Sequence, residues 1–257
     1  MSLTLATWNV NSLRVRLPHL TEWLAANPVD AIALQETKIP DDGFPRAEIE
    51  ALGLHCVYSG QRTYNGVAIL SRTPCADVVA GIPGYEDEQK RVLAATIAGV
   101  RVIDVYVPNG QQVGSEKYAY KLGWLEALHA YLAAELARHP GLVVLGDWNI
   151  APEDRDVHDP KAWEGSVHVS EPERAALRAI EALGLRDCFR LFEQPEKSYS
   201  WWDYRMMAFR RNAGLRIDLI LASAALAGKC AESRIDREPR RLERPSDHAP
   251  VLARFDI

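Results

Sequence analysis

The sequence predicts an α/β domain in which two β-sheets pack together with helices outside. Three observations predict it. Short β-rich runs recur from one end of the 257-residue chain to the other. Helical periodicity falls between those runs and not in a block of its own. No long linker, low-complexity stretch or internal repeat divides the chain, so residues 1–257 read as a single domain.

The strand-like runs, in order, are Leu3–Trp8, Ala31–Leu34, Val67–Leu70, Val92–Ile97, Val100–Val107, Leu142–Leu145, Ile217–Leu221 and Pro250–Phe255. Each is a short apolar segment bounded by polar or turn residues. The best helix runs from Ser115 to His139, where Leu125, Leu128, Leu132 and Leu136 make one apolar stripe. Ser115 is its N-cap candidate, and Pro140-Gly141 stops it. Pro172 to Leu183 is a second helix, with Gly184 as C-cap candidate. The stretch Lys229–Arg244 reads as a solvated loop of mixed charge.

An apolar share of 47% with 25% charged residues excludes a disordered or fibrous chain. No apolar run approaches the roughly 18 residues that span a bilayer. Met1–Val10 lacks the basic start and apolar stretch of a secretory signal. Cys56, Cys75, Cys188 and Cys230 lie far apart and form no CxxC pair, which argues against a zinc site or a disulfide framework. Free thiols and the missing signal predict a cytoplasmic protein. Net charge is 30 − 35 = −5, so the chain is not globally basic. The charge is uneven. Trp201–Arg216 carries four arginines against Asp203, a local +3, and Lys229–Arg244 carries six basic against four acidic residues, a local +2. The last third can therefore present a phosphate-attracting face.

The informative pattern is the polar residue at the end of an apolar strand. Asn9 follows the first strand and Glu36 the second; Tyr106 precedes Pro108-Asn109-Gly110. Asp147 and Asn149 follow Leu142–Leu145, Asp218 sits in Leu215–Ile220, and Asp247-His248 precede the last strand. Strand ends can converge on one face and hold a site rigidly. Carboxylates without nearby thiols suit a hard cation, Mg²⁺ or Mn²⁺. An Asp-His pair suits an oriented imidazole facing a phosphate oxygen. Asp147 and Asn149, two apart on an extended segment, point to the same side, one able to orient water and the other to donate to a developing oxyanion. Together these describe metal-assisted phosphoester hydrolysis. Each feature alone has an ordinary explanation as a turn, a helix cap or a satisfied core group. Their joint occurrence in order is what carries weight.

Thr7-Trp8-Asn9-Val10-Asn11, Leu34-Gln35-Glu36-Thr37-Lys38, Val105-Tyr106-Val107-Pro108-Asn109-Gly110, Gly146-Asp147-Trp148-Asn149-Ile150, Gly214-Leu215-Arg216-Ile217-Asp218 and Arg244-Pro245-Ser246-Asp247-His248 resemble the exonuclease III family of DNA-repair nucleases. The match runs from residue 5 to 255 in the family's order. It implies a four-layered α/β sandwich of two mainly antiparallel sheets with helices outside and the site at one edge between the sheets.

The resemblance makes Glu36 the main metal ligand, with Asn9 and Asp247 near the ion or its waters. It makes Asp147 the residue that orients or deprotonates the attacking water, and Asn149 a donor to a non-bridging phosphate oxygen. His248 would contact the phosphate, oriented by Asp218, and Tyr106 would lie against the scissile phosphate or near the leaving oxygen. Assignment of general acid and base stays open, as does one metal or two. Asn11 stands where some relatives carry Asp, and an amide brings no charge to a second metal.

Tyr199–Asp218 resembles the DNA-repair branch and not the inositol-phosphate or sphingomyelinase branches. Trp201 and Trp202 offer flat surfaces, at least one of them expected in the core. Arg205, Arg210, Arg211 and Arg216 are candidate phosphate donors, with Asn212 beside them. Positions matching Trp201, Leu215 and Ile217 wall an apolar pocket for an extruded abasic sugar. In the pocket-side loop His168-Val169 replace a small residue followed by an aromatic. His168 either narrows the pocket, favouring 3′-end processing over abasic-site incision, or points to solvent or a phosphate.

The implied activity is that of a Mg²⁺-dependent nuclease, Mn²⁺ substituting, on double-stranded DNA with 3′ ends or abasic sites. It would act as a monomer, without membrane or obligate protein partner. A phosphoinositide phosphatase of the same fold and a non-catalytic DNA-binding scaffold are the alternatives. Tyr199–Asp218 argues against the first. The intact acids and His248 argue against the second, since a pure binder gains nothing from desolvating them beside DNA.

Overall fold

The computed structural model describes residues 2–257. Its strands are β1 (Ser2–Asn9), β2 (Ala31–Gln35), β3 (His55–Ser59), β4 (Val67–Ser71), β5 (Ala76–Ala80), β6 (Val92–Ile97), β7 (Val100–Tyr106), β8 (Leu142–Asp147), β9 (Leu185–Asp187), β10 (Asp218–Ser223), β11 (Cys230–Ile235) and β12 (Val251–Asp256). The helices are α1 (Leu13–Ala26), α2 (Arg46–Glu50), α3 (Glu116–Arg138), α4 (Pro160–Trp163), α5 (Glu171–Glu181) and α6 (Ala224–Ala227). Two six-stranded sheets result, ordered β11-β12-β1-β2-β4-β3 and β5-β6-β7-β8-β10-β9. Among the described residues, only β1 with β2 and β7 with β8 run parallel; every other pair is antiparallel.

The layers follow from which faces are apolar. Leu5, Ala33, Ile69, Leu93, Val102, Leu145 and Phe255 fill the space between the sheets. The outer face of the second sheet buries Ile103, Val144 and Leu219 against Trp124, Leu128 and Leu132 of α3 and Leu177 of α5. The outer face of the first buries Trp8, Ile32 and Leu34 against Leu13, Leu20 and Trp23 of α1. Sheets buried on both faces need near-continuous apolar runs, which is why their inner strands are legible in the sequence.

Both expected helices form. The Ser115 hydroxyl accepts from the Tyr118 amide as an N-cap, and α5 starts with a capping box between Ser170 and Glu173. Helix α1 contains Pro18, a breaker signal that conceals it in the sequence. Lys229–Arg244 is not a solvated loop. Its first part is β11, and Arg240 is buried, its guanidinium over the rings of Trp202 and Phe209. An apolar aromatic bed and two carbonyl acceptors, those of Ser246 and Trp202, hold that charge.

Candidate active site

The two parallel strand pairs aim their C-terminal ends at one edge between the sheets. In the β1–β2 register Asn9 lies opposite Gln35, so Asn9 and Glu36 emerge together. In the β7–β8 register Tyr106 lies opposite Asp147, and Asp218 opens β10 opposite the same Asp147. Gly146 makes this close approach possible: a Cβ there would sit 1.9 Å from the Val105 carbonyl oxygen. Glu36 (φ +51°) and Asn149 (φ +49°) are non-glycine residues in the left-handed region. Such conformations cost about 1 kcal/mol or more and persist where surroundings enforce them. Here the Thr37 and Lys38 amides donate to Gly66 and Asn65 carbonyls, and the Asn149 amide donates to Asp147 Oδ1 at 2.9 Å.

Asn9 Nδ2 donates to Glu36 Oε1 and to Asp147 Oδ2, both at 2.8 Å. One amide thus holds two carboxylates face to face. His248 Nδ1 meets both Asp218 oxygens at 2.9 and 3.0 Å, and its Nε2 lies 3.7 Å from Asp147 Oδ2. Ser200 Oγ donates to Asp218 Oδ2 at 2.6 Å and accepts from the Ile217 and Asp218 amides, which fixes that carboxylate. Ser246 Oγ donates to the Asn9 carbonyl and accepts from the His248 amide, tying the His248 loop to β1.

Glu36 and Asp147 carry the ligating oxygens of a group in which His248 also lies, all three within 4.8 Å of one another. The donor set is rich in oxygen and has no thiol, and the two carboxylates keep lone pairs that the single Asn9 amide leaves free. This fits a hard divalent cation. Lys38 Nζ lies 2.9 Å from Glu36 Oε2 on the open side.

Burial, with Asp218 and Glu36 near, pushes the Asp147 carboxyl up to about 7, against the pull of His248 and Asn9. Burial acts to discharge His248, but Asp218 and Asp147 outweigh it and raise the imidazole to about 10. The resting site therefore carries an imidazolium. Burial keeps the Tyr106 phenol protonated, reinforced by Glu36 and Asp147.

Trp201 reaches the site because its segment is threaded between two others. Its amide donates to the Leu215 carbonyl at 2.9 Å, and the Ala249 amide donates to Ser200 at 2.7 Å. Trp201 and Trp163 pack on buried Leu215, Ile217, Val157 and Val169, so Trp201, Leu215 and Ile217 share one apolar wall. His168 is buried beside this wall, 6.3 Å from the Trp163 ring and 6.4 Å from Trp201. It does not point to solvent. Burial, aided by Lys121, lowers its pKa to about 3, so the ring is neutral.

Several expected substrate contacts have other partners. Arg216 is buried between Asp156 and Asp187 and is a core charge, not a surface phosphate donor. Asn212 spends its amide inward, accepting from Trp202 Nε1 at 3.2 Å and donating to the Lys197 carbonyl at 3.0 Å. Arg205 is exposed but chelated by Asp203 at 2.7 Å; Arg210 and Arg211 are also exposed. Trp202 is fully buried, so it is the core member of the tryptophan pair. Asp247 stands outside the Glu36–Asp147–His248 group: Asn11 Nδ2 and Trp201 Nε1 each donate to one of its oxygens at 2.9 Å. Burial works against its charge, but His248 and these donors hold it below the usual carboxylate range. Asn11 also accepts from Lys38 Nζ at 2.5 Å, so Asn11 and Asp247 buttress the rim.

Sequence reasoning missed Ser200 and Ser246, which fix Asp218 and the His248 loop. Both lie inside the motif segments, where position relative to Asp218 and His248 was the available signal.

Residues 6–248 match the model of the endonuclease/exonuclease/phosphatase family. An exodeoxyribonuclease III of Haemophilus influenzae is 36% identical over 262 residues, covering 97% of this chain and 98% of that protein. The structure of the 3′ phosphatase NExo from Neisseria bound to a product DNA hairpin superposes with TM-score 0.98 at 49% identity, over 99% of this chain and 100% of that one. An AP endonuclease structure from Archaeoglobus fulgidus gives TM-score 0.96 at 42% identity, over 99% and 100%. With its strand-end carboxylates and Asp218–His248 pair in the family's order, the chain belongs to the endonuclease/exonuclease/phosphatase family, in its exonuclease III branch.

Proposed function

We propose that this chain is a Mg²⁺-dependent DNA-repair phosphoesterase that works on the 3′ ends of duplex DNA, removing 3′-phosphate and related blocks and excising nucleotides 3′ to 5′. Mn²⁺ substitutes for Mg²⁺. The observation that carries the reading is the single amide of Asn9 holding Glu36 and Asp147 face to face, opposite an imidazolium pinned by Asp218. The NExo and exodeoxyribonuclease III relatives support the substrate class. The chain is read as a monomer of the cytoplasm, and sedimentation at working concentration checks the first.

Glu36 would hold the cation, with Asp147, Asn9 and Asp247 as the residues around it. When bound, the cation neutralises charge building on the phosphate. Asp147, titrating near neutrality, orients the attacking water and takes its proton. Attack is in line and in one step: the water oxygen bonds to phosphorus as the bond to the leaving oxygen breaks. His248 faces the phosphate as a cation. Asn149 Nδ2 donates to the Val107 carbonyl at 3.0 Å and to Asp147 Oδ2 at a long 3.4 Å, and a phosphate oxygen can take the place of that second, weaker partner. The protonated Tyr106 phenol donates near the leaving oxygen.

His168 decides the balance of activities. A neutral, buried imidazole at the Trp201–Leu215 wall narrows the pocket for an extruded sugar, so 3′-end work is favoured over abasic incision. Three labelled duplexes test the reading: a 3′-phosphate, a recessed 3′ end and an internal abasic analogue. Turnover of the first two in Mg²⁺, lost in EDTA and in Asp147→Asn, is the expected result. Turnover of inositol phosphates with none of DNA would overturn it.

A further inference from the structure

Behind the site lies an ion pair with no part in the chemistry. Lys121 of α3 and Glu173 of α5 are in contact, and both side chains are 0% exposed. Lys121 Nζ spends its other hydrogens on the carbonyls of Asn149, at 2.7 Å, and Asn109, at 3.2 Å. Glu173 Oε1 also accepts from the His168 amide at 3.0 Å, and its Oε2 accepts from the Ser170 amide at 3.2 Å and from the Ser170 hydroxyl. One end of the pair therefore grips the loop of Asn149, and the other grips the loop of His168.

The two loops meet a second time. His168 Nδ1 lies 2.7 Å from the same Asn149 carbonyl that Lys121 holds. A carbonyl only accepts, so the proton sits on Nδ1, and Nε2 keeps its lone pair toward Asn109 Nδ2, 3.4 Å away. Asn149 (φ +49°) and His168 (φ +76°) are both in the left-handed region, where non-glycine residues stay only if their surroundings enforce it. A buried ion pair is weak as a source of stability, because desolvation offsets most of its attraction. Its value here lies in the backbone groups that it fixes.

We propose that Lys121 and Glu173 are positioning residues that lock the Asn149 and His168 loops in one register, and so set both the rate on 3′-end phosphoesters and the exclusion of abasic sugars. The activity half rests on the function proposed above; the tautomer half does not.

Single substitutions strand a buried charge and can unfold the chain, so the test uses the double variant Lys121→Met/Glu173→Leu, with the equally uncharged Lys121→Met/Glu173→Gln as a milder companion. In the folded double variant, kcat on the 3′-phosphate duplex should fall about tenfold or more, with KM nearly unchanged. Abasic incision should not fall in parallel, so the abasic-to-3′-phosphate ratio rises. A purely structural role would lower both activities together. Nitrogen-15 spectra of labelled histidine give a readout besides activity. Wild-type His168 should be a single Nδ1–H tautomer that does not titrate between about pH 5 and 8, and the double variant should show mixed tautomers. A folded double variant with the wild-type activity ratio and a pure Nδ1–H tautomer would overturn the proposal. If wild type turns over no 3′-end substrate, the functional reading fails by itself, while the spectra still decide whether the pair positions His168.

Discussion

Asp147 concentrates what single residues do here. It is buried, shares the Asn9 amide with Glu36, and titrates at about 7 without a cation. A carboxyl whose pKa is raised must shed its proton before a cation can use its charge. Divalent-cation affinity should therefore weaken about tenfold per pH unit below 7 and level off above it. Calorimetry with Mn²⁺ across pH 5.5–8.5 checks this, and a pH-independent affinity would contradict it. Asn149→Ala should lower kcat by about 10²–10³-fold while leaving cation affinity intact, as expected of a missing oxyanion donor. Residues of this kind were legible because chemistry put a polar group where a strand should end in an apolar one. Arg216 was misread for the converse reason. An arginine among tryptophans looks the same whether it faces phosphate or, like Arg216, two buried carboxylates.

At the scale of elements, every strand with a neighbour on both sides was visible, and the four that were not, β3, β5, β9 and β11, are the four sheet edges. An edge strand buries fewer side chains, so its apolar run is broken: β5 is mostly exposed and β11 mostly half-buried, with little core in either. Two element-level predictions follow from buried charge. Arg216 joins the turn before β10 to Asp187 at the end of edge strand β9. Arg216→Met should cost about 3–5 kcal/mol in urea unfolding because it strands carboxylates, while leaving the salt dependence of DNA binding unchanged. Asp104, in the middle of β7, is fully buried between the sheets; burial raises its pKa well above the usual range, despite the Gln35 amide at 2.7 Å. The folded carboxyl keeps its proton to higher pH than the unfolded one, which ionises near about pH 4, so from there up to the folded pKa this group makes stability fall as pH rises. Asp104→Asn should remove that slope, at most about 1.4 kcal/mol per pH unit. Equal pH slopes of unfolding free energy for wild type and variant would contradict it.

The whole molecule is acidic, with a net charge of −5, yet it presents exposed Arg205, Arg210 and Arg211 on the segment that follows Trp201 and Trp202. Duplex binding should be salt-sensitive and tolerant of sequence. Neutralising Arg210 and Arg211 together should lower the slope of log affinity against log salt by about 0.9 for each DNA phosphate that the two arginines neutralise in the wild type. The two-sheet architecture was legible as a whole because both sheets are buried on both faces. Which of its two expected places His168 takes, at the apolar wall or toward solvent or a phosphate, was not, since it depends on how residues 163–170 cross between α4 and α5. That crossing carries the central claim, that one phosphoesterase site is turned toward 3′ ends by what fills its sugar pocket. The most direct measurement is the ratio of abasic-site incision to 3′-phosphate removal in wild type and in His168→Gly, both in Mg²⁺. The account predicts a low ratio in wild type and a rise of about tenfold or more in the variant, with 3′-phosphate removal largely kept. An unchanged ratio, or a wild type that already incises abasic duplex as fast as it removes 3′-phosphate, would contradict it.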